Sequence, residues 1–553
     1  MSLLGKKWKI KKNDADLSLL QQLLVQRGLM DEAEQEKFLA CNLVGGLYDP
    51  LLMQGMEQAV ALIREIIQKK ERIMIYGDYD VDGVTGTAIL IKTLQALGAQ
   101  VSCRLPHRVK TGYGMHLPFI EECQRLGVKL IITTDCGVTN EKEIARAKEL
   151  GLKVIVTDHH TPPEKKVSAD VILNPRQKDC AYPDKELCGA AIAFKLASAL
   201  LPKDAPLLNE LIGLATLGAI ADCAALLDEQ RIIVAHGLRN LSETRHKGLL
   251  QLKKIAGIAD KIDTQGVGFR IAPRLNAAGR LDDAMLALQI LLNEDRAVEL
   301  ANSLEALNSR RQIMTAQALK EAEVMLAGST VKQKILIAKS STWHAGIIGL
   351  VAGKLCEKYN RPIILMEERG DKLIGSCRSP EYFSVIQALK KCGDIFEAVG
   401  GHSQAAGFTL DKKNWSIFKN KIKEITEEQL SDCEMKSELL IDAEVAFSDI
   451  SENFFNNLQK LEPFGAGNSK PLFLIRDSYL QEVRQIGETK KHLRLKISQG
   501  NKQLIAVGFG LGEFSRILDK QGKADVVFSL EENIWNNKRS IELRVVDFGI
   551  EEN

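Results

Sequence analysis

From about residue 72 to 225, short apolar runs alternate with amphipathic stretches. Arg72–Tyr76, Leu130–Thr133, Leu152–Thr157 and Val171–Asn174 read as strands, because apolar and β-branched residues crowd between polar, glycine or proline boundaries. Between them, Thr85–Leu97, Glu141–Leu150 and Leu207–Ile220 repeat apolar residues at helical spacing. This βαβ alternation predicts an α/β fold, a parallel sheet covered by helices on both faces. Ligands of such sheets gather outside the carboxyl ends of the strands.

Elsewhere the periodicity changes. Residues 1–70 read as mostly helical (Leu17–Arg27, Asp31–Leu39, Gln58–Lys69), an N-terminal extension. Residues 282–330 are rich in Ala, Leu, Glu and Gln without proline and predict one or two long linking helices. A second, smaller α/β unit is expected over 331–435, with strands at Ile335–Ala338, Ile363–Met366 and Leu373–Ser376. Over 436–553 apolar alternation dominates, at Leu472–Ile475, Leu493–Ile497, Leu504–Phe509, Val526–Leu530 and Ile541–Val546, which suits a small OB-fold-like barrel. The first parallel-sheet domain then occupies 71–281.

Composition narrows the class. The chain is 45% hydrophobic and 26% charged, and 74 basic against 72 acidic residues leave a formal charge of +2. Any surface for a polyanion must therefore be local rather than a basic tail. Eleven cysteines without a CxxC pair argue against a disulfide framework and a zinc ribbon. The amino-terminal MSLLGKKWKIKK lacks the apolar core of a secretion signal, and Leu211–Leu227, interrupted by Asp222, is too short to span a bilayer. A cytoplasmic protein with no membrane association is expected.

The chemistry concentrates where the predicted strands end. Asp78-Tyr79-Asp80-Val81-Asp82-Gly83 follows Ile73-Met74-Ile75, and alternating carboxylates there aim several oxygens at one spot, which a cation relieves. An EF-hand loop shares this beginning but needs Glu at its twelfth position, where Ile89 stands, and a helix rather than a strand before it. Asp158-His159-His160 follows Val154-Ile155-Val156 in the same manner. Asp135 ends another strand, and Asp222 closes an apolar helix, where an unpaired carboxylate is costly. One imidazole among carboxylates favours Mn²⁺, Mg²⁺ or Fe²⁺ over structural zinc. Two such ions would activate water and stabilise the leaving oxygen of a phosphoryl displacement.

At these residues the chain resembles the DHH phosphoesterases, and within them the RecJ-type single-strand-specific exonucleases. GDYDVDGVTG (77–86), TTDCG (133–137), TDHH (157–160) and GAIAD (218–222) stand in family order. The resemblance implies a DHH catalytic domain, a linker helix, a DHHA1 domain and the barrel. It implies two Mn²⁺ or Mg²⁺ ions held by Asp80, Asp82, Asp135, His159 and Asp222, with Asp135 bridging and His160 on the scissile phosphate. Asp78 would be a ligand or a supporting carboxylate, and Asp158 would orient a histidine. The glycine-rich stretch at Gly400–Gly407 reads as a turn around a buried-looking His402, with a tight strand-to-helix turn as one alternative, and it is similar to the DHHA1 signature. With Gly401, Ser376, Arg378 and Ser379 it would grip substrate, as would Arg108 and Arg280. Phe473, Phe509 and Trp535 are candidate stacking rings in the barrel.

The resemblance further implies single-stranded DNA as substrate, 5′→3′ polarity, and roles in repair and recombination. The implied partners are a single-strand-binding protein and a RecQ-type helicase, and a monomer is expected. Two rivals stand beside this reading: a phosphodiesterase for short oligonucleotides or cyclic dinucleotides, and a catalytically dead DNA-binding scaffold. The barrel disfavours the first, and the full set of converging carboxylates disfavours the second.

Overall fold

The computed structural model describes residues 2–14, 16–328, 333–431, 433–535 and 538–550, with backbone alone at 521, 534, 535 and 538. The chain divides into two compact units, 42–433 and a second formed by 1–41 together with 434–553. The expected N-terminal extension is therefore split: residues 1–41 join the barrel unit, whereas Met56–Gln68 joins the larger one. Nor is the beginning of the chain all helical. Lys7–Ile10 is a strand paired in parallel with Glu438–Ile441.

The larger unit opens with a five-stranded, all-parallel sheet ordered Gln100–Arg104, Arg72–Gly77, Val128–Thr134, Lys153–Thr157, Val171–Leu173. Alternate side chains leave opposite faces, and both faces are covered. Ile73, Ile75, Leu130, Ile132 and Ile155 pack under the helices Val81–Ala96 and Gly189–Leu200. Met74, Tyr76, Ile131, Val154 and Val156 pack against Phe119, Ile120 and Ile144. Continuous apolar runs rather than alternation follow from this double burial. The strand order reverses between Arg72–Gly77 and Val128–Thr134, which opens a crevice outside their carboxyl ends.

Helix Val81–Ala96 starts earlier than the periodicity suggests. Asp80 caps it, its Oδ1 accepting from Asp82 N at 3.0 Å and Gly83 N at 3.1 Å, so Asp82 lies in the first helical turn rather than in a loop. The predicted linker is a short helix, Met285–Leu292, followed by the thirty-residue Ala297–Leu326.

The second sheet runs Phe396–Gly401, Ala405–Asp411, Lys372–Arg378, Ile363–Arg369, Leu336–Ser340, with only the last pair parallel. The glycine-rich stretch is consequently a hairpin turn, not a strand-to-helix turn. His402 N donates to Ala405 O at 2.7 Å, and the His402 side chain is exposed rather than buried.

In the other unit, strands Phe473–Ile486, His492–Gln499, Lys502–Gly508, Lys538–Gly549 and Lys523–Trp535 follow one another and close through pairing of the first with the last. Phe473 is a core residue against Phe454 and Phe528, Phe509 is exposed, and the Trp535 ring lies outside the described side chains. Among the described residues no helix is long and apolar enough to cross a membrane.

Candidate metal centre and substrate cleft

Each acidic residue reaches the crevice by a different local device. The buried Asp82 carboxylate faces the start of helix Gly189–Leu200, whose Gly189 and Ala190 amides donate to it at 2.6 and 2.9 Å. A helix N-terminus is favourable for an anion. Two glycines permit the crowding. A methyl group on Gly189 would lie 2.7 Å from Asp135 Cβ, and one on Gly218 would lie 2.5 Å from Asp82 Oδ1. Asp135 leaves its strand at φ 62, a left-handed conformation that Asp tolerates better than most residues. Its N–H donates to Thr157 O at 3.1 Å and its carbonyl accepts from the Tyr113 hydroxyl at 3.2 Å. Asp222 terminates helix Pro206–Ala221 at the same crevice.

Asp158, fully buried, does something else. Its oxygens accept from Val138 N (3.0 Å), His159 N (2.8 Å) and His160 N (3.1 Å), and one lies 2.7 Å from His160 Nδ1. It organises the loop that presents both histidines. Burial would raise this carboxyl, yet the bond to His160 and that ring's charge hold it below its ordinary value.

His159 Nε2 stands 3.0 Å from Asp135 Oδ1, 3.8 Å from Asp222 Oδ2 and 3.9 Å from Asp82 Oδ2. Yet His159 Nε2, Asp135 Oδ1 and Asp78 Oδ1 are buried without any hydrogen-bond partner. Neighbouring ligands of an octahedral ion at 2.0–2.1 Å are themselves about 3 Å apart, so two orphaned atoms at that separation are placed as co-ligands are. Candidate ligand atoms lie within 4.8 Å of one another in three overlapping sets: Asp82, His159 and Asp222; Asp78, Asp80 and Asp135; and Asp135, His159 and His160. An Asp78 oxygen thus lies in one set with oxygens of Asp80 and Asp135.

The electrostatics agree with this donor set. Burial, then neighbouring carboxylates, push Asp78 and Asp135 well above the ordinary range, Asp82 to about 6 and Asp222 to about 8. Burial and the charge of His160 push His159 down to about 4, which keeps its ring neutral. The residues present fit divalent cations, since crowded carboxylates need positive charge and the imidazole is neutral. His160 differs. Burial opposes its charging, but Asp158, Asp222 and Asp78 raise it to about 9. Its ring stacks on His402 from the second sheet, with centroids 6.1 Å apart and planes at 13°.

Beside the acids lies a cluster of guanidinium groups. Arg108 covers the Tyr79 ring at 4.0 Å. Arg280, largely enclosed, is held down to about 9 by burial and by Arg108, Arg311 and Arg378. Arg378 Nη1 donates to Cys377 O at 2.8 Å and Arg311 Nη2 to Asn308 Oδ1 at 2.9 Å, but none of the four forms an ion pair among the described residues. Ser376 Oγ borders Arg378 at 3.4 Å. Ser379 differs from the expectation: it is buried, and its hydroxyl donates to the Phe383 carbonyl and so holds the turn instead of facing substrate. Gly401 lies in the hairpin beside His402. Sequence reasoning missed Arg311, whose helical neighbours mask it as a surface residue, and Tyr113, whose hydroxyl lies 3.2 Å from His160 Nδ1.

Three family models match: the DHH family N-terminal domain over 72–219, the DHHA1 domain over 332–431 and the RecJ OB domain over 441–547. The single-stranded-DNA-specific exonuclease RecJ of Bacillus subtilis (strain 168) is 37% identical over 563 residues, covering 99% of this chain and 71% of that protein. The crystal structure of RecJ from Thermus thermophilus in complex with Mn²⁺ superposes with a TM-score of 0.84 at 29% identity, covering 99% of this chain and 80% of that one. Its complex with Mg²⁺ gives 0.78 at 28% identity, covering 99% and 79%.

Proposed function

This chain belongs to the RecJ family of single-stranded-DNA-specific exonucleases, and from that premise we propose how its own residues hold metal and substrate. It is a metal-dependent exonuclease that hydrolyses phosphodiester bonds of single-stranded DNA. The observation that carries the assignment of residues is the pair of buried, unpartnered atoms His159 Nε2 and Asp135 Oδ1, 3.0 Å apart. Asp82, His159 and Asp222 would hold one Mn²⁺ or Mg²⁺ ion, and Asp78 and Asp80 the other, with Asp135 shared. When bound, the two ions supply an activated water and neutralise charge on the scissile phosphate.

The remaining roles fall to side chains. Asp158 holds His160 oriented and positively charged, so that this ring donates toward the phosphate. Arg108, Arg280, Arg311 and Arg378, with Ser376, bind a second phosphate through forked, charge-assisted hydrogen bonds. His402 and Gly401 contribute from the hairpin, with His402 flanking His160. The 5′→3′ polarity, the roles in repair and recombination, the single-strand-binding protein and RecQ-type helicase as partners, a monomeric state and a cytoplasmic location rest on the family. So does the division into a DHH domain at 71–281, a linker at 282–330, a DHHA1 domain at 331–435 and an OB-fold-like domain at 436–553.

The test is hydrolysis with Mn²⁺ of end-labelled linear single-stranded DNA, duplex DNA and a closed single-stranded circle. Only the linear single strand should be degraded. Cleavage of the circle would overturn the exonuclease reading.

A further inference from the structure

Helix Ala272–Leu281 links the two chemical halves of the cleft, and one residue at its beginning has no role in the reading above. At its far end the helix abuts Tyr79, between Asp78 and Asp80. A methyl group on Gly279 would stand 2.3 Å from the Tyr79 carbonyl oxygen, and Arg280 follows it into the arginine cluster. At the near end the helix continues out of a π-helical turn, Gly266–Ile271. That turn borders the end of the Asp222 helix, where a methyl group on Gly268 would lie 3.5 Å from Ile220 Cγ2. One continuous element thus runs from the arginine cluster to the lip that carries Asp222. At 1.5 Å per helical residue its span from Arg280 to Phe269 is about 16 Å, enough to underlie a few nucleotides.

Phe269 is 80% exposed on that turn, although Gly266, Val267 and Ile271 around it are buried. The turn is anchored by its neighbours, so the ring contributes little to folding. π-helical turns are uncommon and recur at functional sites, since the extra residue turns one side chain away from the packed face. The adjoining lip offers the exposed Cys223 and the half-buried Ile220 on either side of Asp222. Arg270 follows Phe269 and is tethered through Nη1 to Gly257 O at 3.3 Å. A flat ring next to a cation, continuous with a phosphate-cleaving site, matches the chemistry of a nucleotide.

Resting on the exonuclease reading, we propose that Phe269 is a stacking platform for one nucleobase of the single strand. It would hold the strand on the side of the metal centre away from the arginine cluster. Stacking on a π-face tolerates any base, because every base presents one. The contact exists in ground and transition states alike, so its loss should raise KM and leave kcat unchanged.

The experiment compares wild type, Phe269→Ala and Phe269→Trp on end-labelled single-stranded DNA, and on strands with one abasic residue placed in turn at each of the leading positions. Phe269→Ala should raise KM about 5- to 100-fold, with an unchanged melting temperature, and Phe269→Trp should restore it. At one position the abasic strand should slow wild type by a similar factor and Phe269→Ala no further. Unchanged KM in Phe269→Ala, or losses that multiply at every position, would overturn the proposal. Wild type inert on single-stranded DNA would instead remove the exonuclease reading itself.

Discussion

Replacing Arg280 by Met should separate stability from function. Burial and the charges of Arg108, Arg311 and Arg378 bring this guanidinium from 12.5 down to about 9. At about 1.4 kcal/mol per pKa unit, that displacement corresponds to about 5 kcal/mol against the charged form. The effective dielectric of a protein interior damps such charge terms, so about 1–2 kcal/mol is the cost to expect in the free protein. In return Arg280 makes one long hydrogen bond, Nη1 to Gly346 O at 3.3 Å, worth about 0.5–1 kcal/mol. Methionine keeps most of the apolar stem and removes the charge. Arg280→Met should therefore melt at the same temperature as wild type or up to about 2 °C higher, since the unit that holds it is large. Binding moves the other way. Loss of charge-assisted contacts of about 1.5–3 kcal/mol should weaken single-stranded DNA binding roughly 10- to 100-fold. Thermal melting of the free protein, and a binding titration at fixed salt with metal chelated, read the two effects separately. A variant that melts several degrees lower yet binds DNA as wild type does would refute the argument, because Arg280 would then be structural.

Asp135→Ala should abolish Mn²⁺-dependent hydrolysis and reduce Mn²⁺ stoichiometry in calorimetry while the circular dichroism spectrum stays unchanged; full activity would refute a shared ligand. Stability of the metal-free protein should fall as pH rises from about 5 to 8.5. Folded Asp82 and Asp222 titrate at about 6 and about 8, above the roughly 3.9 of an unfolded Asp. The native state therefore binds more protons across that window and loses stability on releasing them. Melting curves across pH with and without Mn²⁺ check this, and the metal should stabilise most at the upper end. Tyr113→Phe removes the hydroxyl that bonds Asp135 O and approaches His160 Nδ1, both at 3.2 Å. With one modest hydrogen bond lost near the reacting phosphate, kcat should fall about fivefold at unchanged KM; a change in KM alone would place Tyr113 in substrate binding instead.

Much of this molecule is legible in its sequence because hydrophobic periodicity is local. The doubly covered strands read as apolar runs, and the residues directly after them, Asp78, Asp135 and Asp158, come out at one sheet edge whichever strand neighbours which. The barrel strands read as alternation for the same reason. Errors fell where a short-range cue had two outcomes. A glycine-rich segment serves a hairpin as well as a helix entry, and only pairing between Phe396–Gly401 and Ala405–Asp411 decides between them. The amino-terminal strand Lys7–Ile10 exists because Glu438–Ile441, far along the chain, offers it an edge.

By itself the sequence determined the donors and the strand ends that carry them, since residue chemistry and strand period need no partner. Tertiary structure alone decided which donors meet. The strand order reverses between Arg72–Gly77 and Val128–Thr134, which brings Asp78 and Asp135 to one crevice. Glycines 189 and 218 then let two helices close on Asp82. Arg311 and Arg378 join Arg280 from other elements, and His402 reaches His160. Such meetings depend on distances between segments remote in the chain, which no local periodicity encodes.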